Sequence, residues 1–151
     1  MATTPSSELS TIEVLIFLKK VGLFAHLDLE DLFRLKEITS EVKFDEGDVI
    51  IRDGESGNTA YIIVKGMVEV FRETPKGEIV LASFESTQYF GEMAIVENEP
   101  RSASVRAKTS CLLLKLSGPE FRHMLLSNAS LSFRLMQGFS RRLRRMSQSA
   151  S

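Results

Sequence analysis

The sequence predicts a mainly β domain with flanking α: an eight-stranded antiparallel β-roll, jelly-roll-like, with N-terminal helices, one short internal helix and two C-terminal helices. Three observations carry this expectation. Residues 39–116 hold short apolar and β-branched runs, with turn residues about every ten positions, which is the pattern of a sandwich or roll rather than of a parallel sheet. Residues 10–38 and 117–147 instead space their apolar residues at helical intervals. One stretch inside the strand region, Glu92 to Ile95, has helix-forming residues and is stopped by Pro100.

The elements follow in order. Residues 1–9 are small and polar and are expected as a disordered tail. Ser10 or Thr11 can cap a first helix carrying Ile12, Leu15, Ile16 and Lys19, which Val21 to Phe24 interrupts. Asp28 caps a second helix with Leu29, Leu32, Phe33 and Leu35. Val42 and Phe44 then alternate with charge. The runs Val49–Ile51, Ala60–Val64, Met67–Phe71 and Ile79–Leu81 follow, separated by turns at Gly47, Gly54, Gly57, Gly66 and Gly77. After the internal helix come strands over 103–107 and 111–116. Ser117 and Glu120 form the pattern of a capping box for a helix over about 118–126. A last helix over about 129–147 carries Leu131, Leu135, Phe139, Leu143 and Met146 on one side.

Composition limits the function classes. The 151 residues suit one domain, expected over 10–147. Nineteen basic against twenty acidic side chains give a net charge of −1, so overall charge recruits neither nucleic acid nor acidic membrane. The basic run Arg141–Arg145 has a leucine at core spacing and no interleaved aromatics, and reads as a solvated helix face. No apolar stretch approaches the roughly 18 residues that span a bilayer, and the N-terminus has no secretory pattern. A cytoplasmic location is therefore expected. Cys111 stands alone in an apolar run and is expected as a packed core thiol. His26 and His123 lie far apart without cysteine partners, so no metal site is expected, and no catalytic constellation is found.

The chemistry concentrates in the run Phe90-Gly91-Glu92-Met93-Ala94-Ile95-Val96-Glu97-Asn98-Glu99-Pro100-Arg101-Ser102-Ala103-Ser104-Val105. Gly91 lets backbone approach a ligand closely. The first N–H groups of the short helix have no helical partner and attract an anion. Arg101 offers a positive fork suited to phosphate oxygens, and Ser102 adds a hydroxyl. Glu92 would repel a phosphate but accepts well from ribose hydroxyls. Read singly, Arg101 is a surface ion-pair residue and Glu92 a solvated helix-start carboxylate; their combination points to a small phosphorylated sugar.

This run strongly resembles the phosphate-binding cassette of cyclic nucleotide-binding domains, and the resemblance extends over residues 12 to 147. It implies that Glu92 takes the ribose 2′-hydroxyl and Arg101 the exocyclic phosphate oxygens. Ser102, the Ala103 N–H and N–H groups around Gly91, Glu92, Met93 and Ala94, next to Phe90, would complete the cradle. It also implies that Val70, Leu81 and Phe84 face the base or ribose, although an ordinary core role is open for them. Arg142 and Met146 fall where the family places base contacts on its last helix. Ser102 favours cAMP as ligand, yet a hydroxyl could reach a guanine amino group, so cGMP stays open. Thr87-Gln88 replaces the Gly-Asp that many members carry before the aromatic residue and Phe-Gly-Glu.

The expected function is a cyclic nucleotide sensor that converts binding into movement of its terminal helices, without enzyme activity or cofactor. A protein-interaction domain of the same fold that needs no nucleotide is the alternative. An effector on another chain or domain is expected but not identifiable from sequence, and a homo-oligomer is open.

Overall fold

Why each segment adopts its structure is visible in a computed structural model, which describes residues 4–6, 8–97 and 99–150. Helix α1 (Thr11–Lys20) starts at Ser10, whose hydroxyl accepts from the Glu13 N–H while the Glu13 carboxylate accepts from the Ser10 N–H. Val21 leaves the helical region, and a single 3₁₀ turn, Gly22–Phe24, follows. Helix α2 (Leu29–Glu37) is capped the same way by Asp28 and Asp31. Val14, Leu15 and Leu18 form the buried face of α1, while Ile12 and Ile16, expected on that face, are exposed.

Eight strands make the roll: β2 (Thr39–Phe44), β3 (Val49–Ile51), β4 (Thr59–Lys65), β5 (Met67–Thr74), β6 (Gly77–Glu85), β7 (Tyr89–Phe90), β8 (Ser104–Ala107) and β9 (Cys111–Ser117). A short strand β1 (Thr4–Ser6) pairs with the edge of β2, so part of the tail expected to be disordered is a strand here. Residues 1–3 and 7 of that tail lie outside the described residues. Pairing is antiparallel throughout, in the orders β1-β2-β9-β4-β7 and β3-β8-β5-β6. The short internal helix α3 (Glu92–Val96) joins β7 to β8. Two helices, α4 (Gly118–Ser127) and α5 (Ala129–Ala150), close the chain. The capping box expected at Ser117 does not form: Ser117 makes no side-chain cap bond. Pro119 occupies the first turn, and Ser117 is still the end of β9, its N–H donating to Ile38 O.

Two apolar layers hold these parts together. Between the helices and the first sheet lie Leu18, Phe24, Leu35, Ile62, Leu114 and Leu131; between the sheets lie Phe44, Ile63, Val68, Phe90, Val105 and Leu113. Strand β9 faces both layers, which explains why Cys111 to Leu114 is a continuous apolar run rather than an alternating one. Cys111 is a core thiol, and burial pushes its pKa up. Among the described residues no helix is long and apolar enough to cross a membrane.

Helix α5 is tied to the N-terminal helices by charge and by close packing. The Arg134 guanidinium donates to both carboxylate oxygens of buried Asp31, at 2.6 and 3.0 Å. Burial acts to raise the Asp31 pKa, but the bonds from Arg134 and Asp28 outweigh it and hold it below its usual value. One helical turn further, Gly138 sits against the 3₁₀ turn so closely that a Cβ there would lie 2.3 Å from Leu23 O.

The Thr87-Gln88 turn keeps its course through side-chain help. Gln88 Oε1 accepts from Glu85 N at 2.8 Å, and Thr87 N donates to Ile63 O at 2.9 Å. Thr87 has φ +75°, in the left-handed region that a β-branched residue disfavours. Thr87→Gly is therefore expected to stabilise the domain by about 1 kcal/mol, raising the melting temperature by roughly 2–4 °C in thermal unfolding; an unchanged or lower value would mean that the turn carries no strain.

Candidate functional site

The second sheet and the β7–α3–β8 segment enclose a cavity of about 330 Å³, within the range of small-ligand clefts. Its apolar walls come from Ile51 of β3, Val70 of β5, Ala82 and Phe84 of β6, Phe90 of β7 and Val105 of β8. Its polar rim holds Glu92, Glu97, Glu99, Arg101, Ser102 and Arg142, with Tyr89, Gly91, Pro100 and Ala103 between them. Residues from seven elements and their connecting loops thus meet at one place.

Gly91 sets the entry to α3. Its φ is +85°, and a Cβ there would lie 2.9 Å from Thr59 O and 3.0 Å from Arg101 Nη1. Conformation and space both demand glycine. The next residue, Glu92, opens α3, and its Oε2 is buried with no hydrogen-bond partner among the described residues. A buried carboxylate oxygen left unpaired costs free energy, so this atom calls for a donor from a ligand. Met93 and Ala94 follow Glu92 in the first turn of α3 and contribute their backbone to it.

Arg101 is locked in place by backbone. Its Nη1 donates to Gly91 O at 2.9 Å and its Nη2 to Thr59 O at 2.8 Å. Its own N–H donates to Glu55 O, and its carbonyl accepts from Gly54 N. Gly57 lies flat against the guanidinium; a Cβ there would lie 2.4 Å from Nε. Burial pushes the Arg101 pKa down, against the fields of Tyr61, Glu55 and Glu92. Among the described residues it makes no ion pair. A partly buried guanidinium bonded only to neutral carbonyls retains its full charge and spare donors for an anion. Beside it, the Ser102 carbonyl accepts from Arg72 Nε and Nη2 at 3.2 and 2.6 Å, which fixes the loop carrying the serine hydroxyl.

Among the described residues, helix α5 reaches the cavity through Arg142. Arg142 lies over the Tyr89 ring, 4.8 Å from its centroid, and donates to the Tyr89 hydroxyl. Burial raises the Tyr89 pKa, partly offset by Arg142.

A sequence profile described as "Cyclic nucleotide-binding domain" matches residues 41–128. The chain belongs to the cyclic nucleotide-binding domain family. Among relatives, a cAMP-dependent protein kinase regulatory subunit from Dictyostelium discoideum is 36% identical over 115 residues, covering 68% of this chain and 35% of that protein. The N-terminal domain of a transcriptional regulator from Streptomyces coelicolor superposes with a TM-score of 0.75 at 29% identity, covering 89% of this chain and 95% of that one. The regulatory domain of Toxoplasma gondii PKA, crystallised with cAMP, superposes with a TM-score of 0.71 at 26% identity, covering 85% of this chain and 49% of that one. The chain spans 26% to 35% of the length of the curated relatives that it matches.

Within this family fold, the structure brings Val70, Phe84, Phe90, Gly91, Glu92, Arg101, Ser102, Ala103 and Arg142 to one cavity. It does not bring Leu81 or Met146 there. Leu81 is 48% exposed and falls at the bulge between the Val70↔Ala82 and Phe71↔Val80 pairs, while Ala82 and Phe84 share the inner face. Successive strand residues point to opposite faces, so Leu81 cannot accompany Phe84. Met146 is 58% exposed, one turn beyond Arg142. Sequence reasoning missed Tyr89, Ala82 and the support that Gly57 and Arg72 give the cassette. Ala82 was available from its even spacing to Phe84. Gly57 was read as a turn residue, but its close contact with Arg101 depends on a fold-level approach that no local pattern encodes.

Proposed function

We propose that this domain binds cAMP, with cGMP as a weaker ligand, and acts as a regulatory sensor whose terminal helices respond to the nucleotide. The observation that carries this reading is a pair of unmet demands at one cavity: among the described residues, the Glu92 Oε2 has no donor and the Arg101 charge has no anionic partner. A cyclic nucleotide supplies both, with its ribose 2′-hydroxyl for Glu92 and its single phosphate charge for Arg101 and Ser102. Its base would lie along Val70, Ala82 and Phe84 toward Tyr89 and Arg142. Because Arg142 belongs to α5, contact with the base biases that helix. The Toxoplasma structure with cAMP, at 26% identity, supports the ligand class.

cAMP has about 22 non-hydrogen atoms, and roughly 0.3 kcal/mol for each corresponds to a Kd of about 10 μM. A thermal melt with ligand at about 100 times that Kd should gain about 2.7 kcal/mol, or roughly 5–10 °C, with cAMP ahead of cGMP. No shift with either would support the nucleotide-independent alternative.

A further inference from the structure

The final helix carries a feature that nucleotide binding does not use. After Glu120 the chain has no acidic residue, while Arg141, Arg142, Arg144 and Arg145 crowd into five positions just before Ser147. Ser147 is the only serine or threonine with arginines at both the second and third preceding positions. We propose that Ser147 is a phosphorylation site for a basophilic serine/threonine kinase. In the reaction the Ser147 Oγ attacks the γ-phosphorus of Mg-bound ATP. The new Oγ–P bond forms as the bond to the β–γ bridging oxygen breaks, the hydroxyl proton passes to the kinase base, and ADP leaves.

The structure makes this hydroxyl reachable. Arg141, Arg144, Met146 and Ser147 are exposed, as are Phe139 and Leu143, so solvent reaches the helix surface around Ser147. Arg142 is engaged with Tyr89, but Arg144 is in no ion pair among the described residues. Kinase clefts that select arginine before the acceptor do so with carboxylates, and the fork of Arg144 suits them. Such clefts bind an extended segment, so the helix end must open. Three facts ease this. Ser147 stands in the final turn, whose carbonyls lack helical partners. Arg141 and Arg144 stand three positions apart on the helix, where like charges weaken it. Unwinding beyond Arg142 exposes no buried side chain among those described. The product would place close to two negative charges beside Arg144.

The test uses the whole chain, Mg-ATP, and either the catalytic subunit of cAMP-dependent protein kinase or an acidophilic kinase, with intact-mass and peptide mapping. One phosphoryl group at Ser147 from the first kinase only is the expected result. Ser147→Ala should abolish it, and Arg144→Ala should lower the kinase's kcat/KM by about tenfold or more while the circular dichroism stays unchanged. The proposal is overturned if the intact chain takes no phosphate while a peptide of residues 139–150 does, if neither is labelled, or if label persists in Ser147→Ala.

Discussion

Arg101→Ala is expected to weaken cAMP binding by about ten- to a hundredfold, from the loss of one charge-assisted phosphate contact worth about 1.5–3 kcal/mol. The substitution also frees the carbonyls of Gly91 and Thr59, which now accept from Nη1 and Nη2. The melting temperature without nucleotide should therefore fall by a few degrees. Arg101→Lys separates the two roles. It keeps the charge but cannot span both carbonyls and a phosphate with one planar fork, so its affinity should lie between wild type and alanine. Gly57→Ala offers a third view of the same atoms, because its Cβ would displace the guanidinium without removing it. Calorimetry on the three variants checks the series. Equal affinity in wild type and Arg101→Ala would remove Arg101 from the site.

Gly138→Ala is expected to destabilise the domain by about 2 kcal/mol, lowering the melting temperature by roughly 4–8 °C. Two effects compete. Alanine is better than glycine in a helix interior by about 1 kcal/mol. Against this, the new Cβ would lie 2.3 Å from Leu23 O and 2.9 Å from Leu23 C, and both are backbone atoms that cannot rotate away. Overpacking of about 3 kcal/mol at such a contact outweighs the helical gain. Displacing α5 there also lifts Arg142, one turn on, from Tyr89, so the cAMP affinity should fall as well. Ser140→Ala, at an exposed position of the same helix, should change neither quantity. A Gly138→Ala protein as stable as wild type would show that α5 is not held at this contact.

Much of the fold was legible because its signals are local. The change from helical spacing to short strands near residue 39, the caps at Ser10 and Asp28 and the short helix between the strands ending at Phe90 and starting at Ser104 all appear where the residues indicate. What escaped the sequence depends on long-range contact. Ser117 reads as a cap, but it is drawn into β9 by its bond to Ile38 O. Leu81 reads as pocket wall, but a bulge and strand alternation turn it outward. Tyr89 and Arg142 are 53 positions apart, and only the packing of α5 over the 3₁₀ turn brings them together. Most of the residues singled out between Phe90 and Ala103 line one cavity, while the backbone lock on Arg101 was not legible, since Thr59 and Gly57 belong to a distant strand and loop.

The most direct measurement compares cAMP with 5′-AMP by isothermal titration. The two share base and ribose, but 5′-AMP has an open phosphate with a second negative charge. The cavity rim sets the carboxylates of Glu92, Glu97 and Glu99 against Arg101 and Arg142, which suits a single charge better than two. The expected result is one cAMP per chain with a Kd of about 10 μM and 5′-AMP weaker by about tenfold or more. No saturable heat with cAMP at millimolar concentration, or equal binding of the two nucleotides, would contradict a cavity built around Arg101 and Glu92.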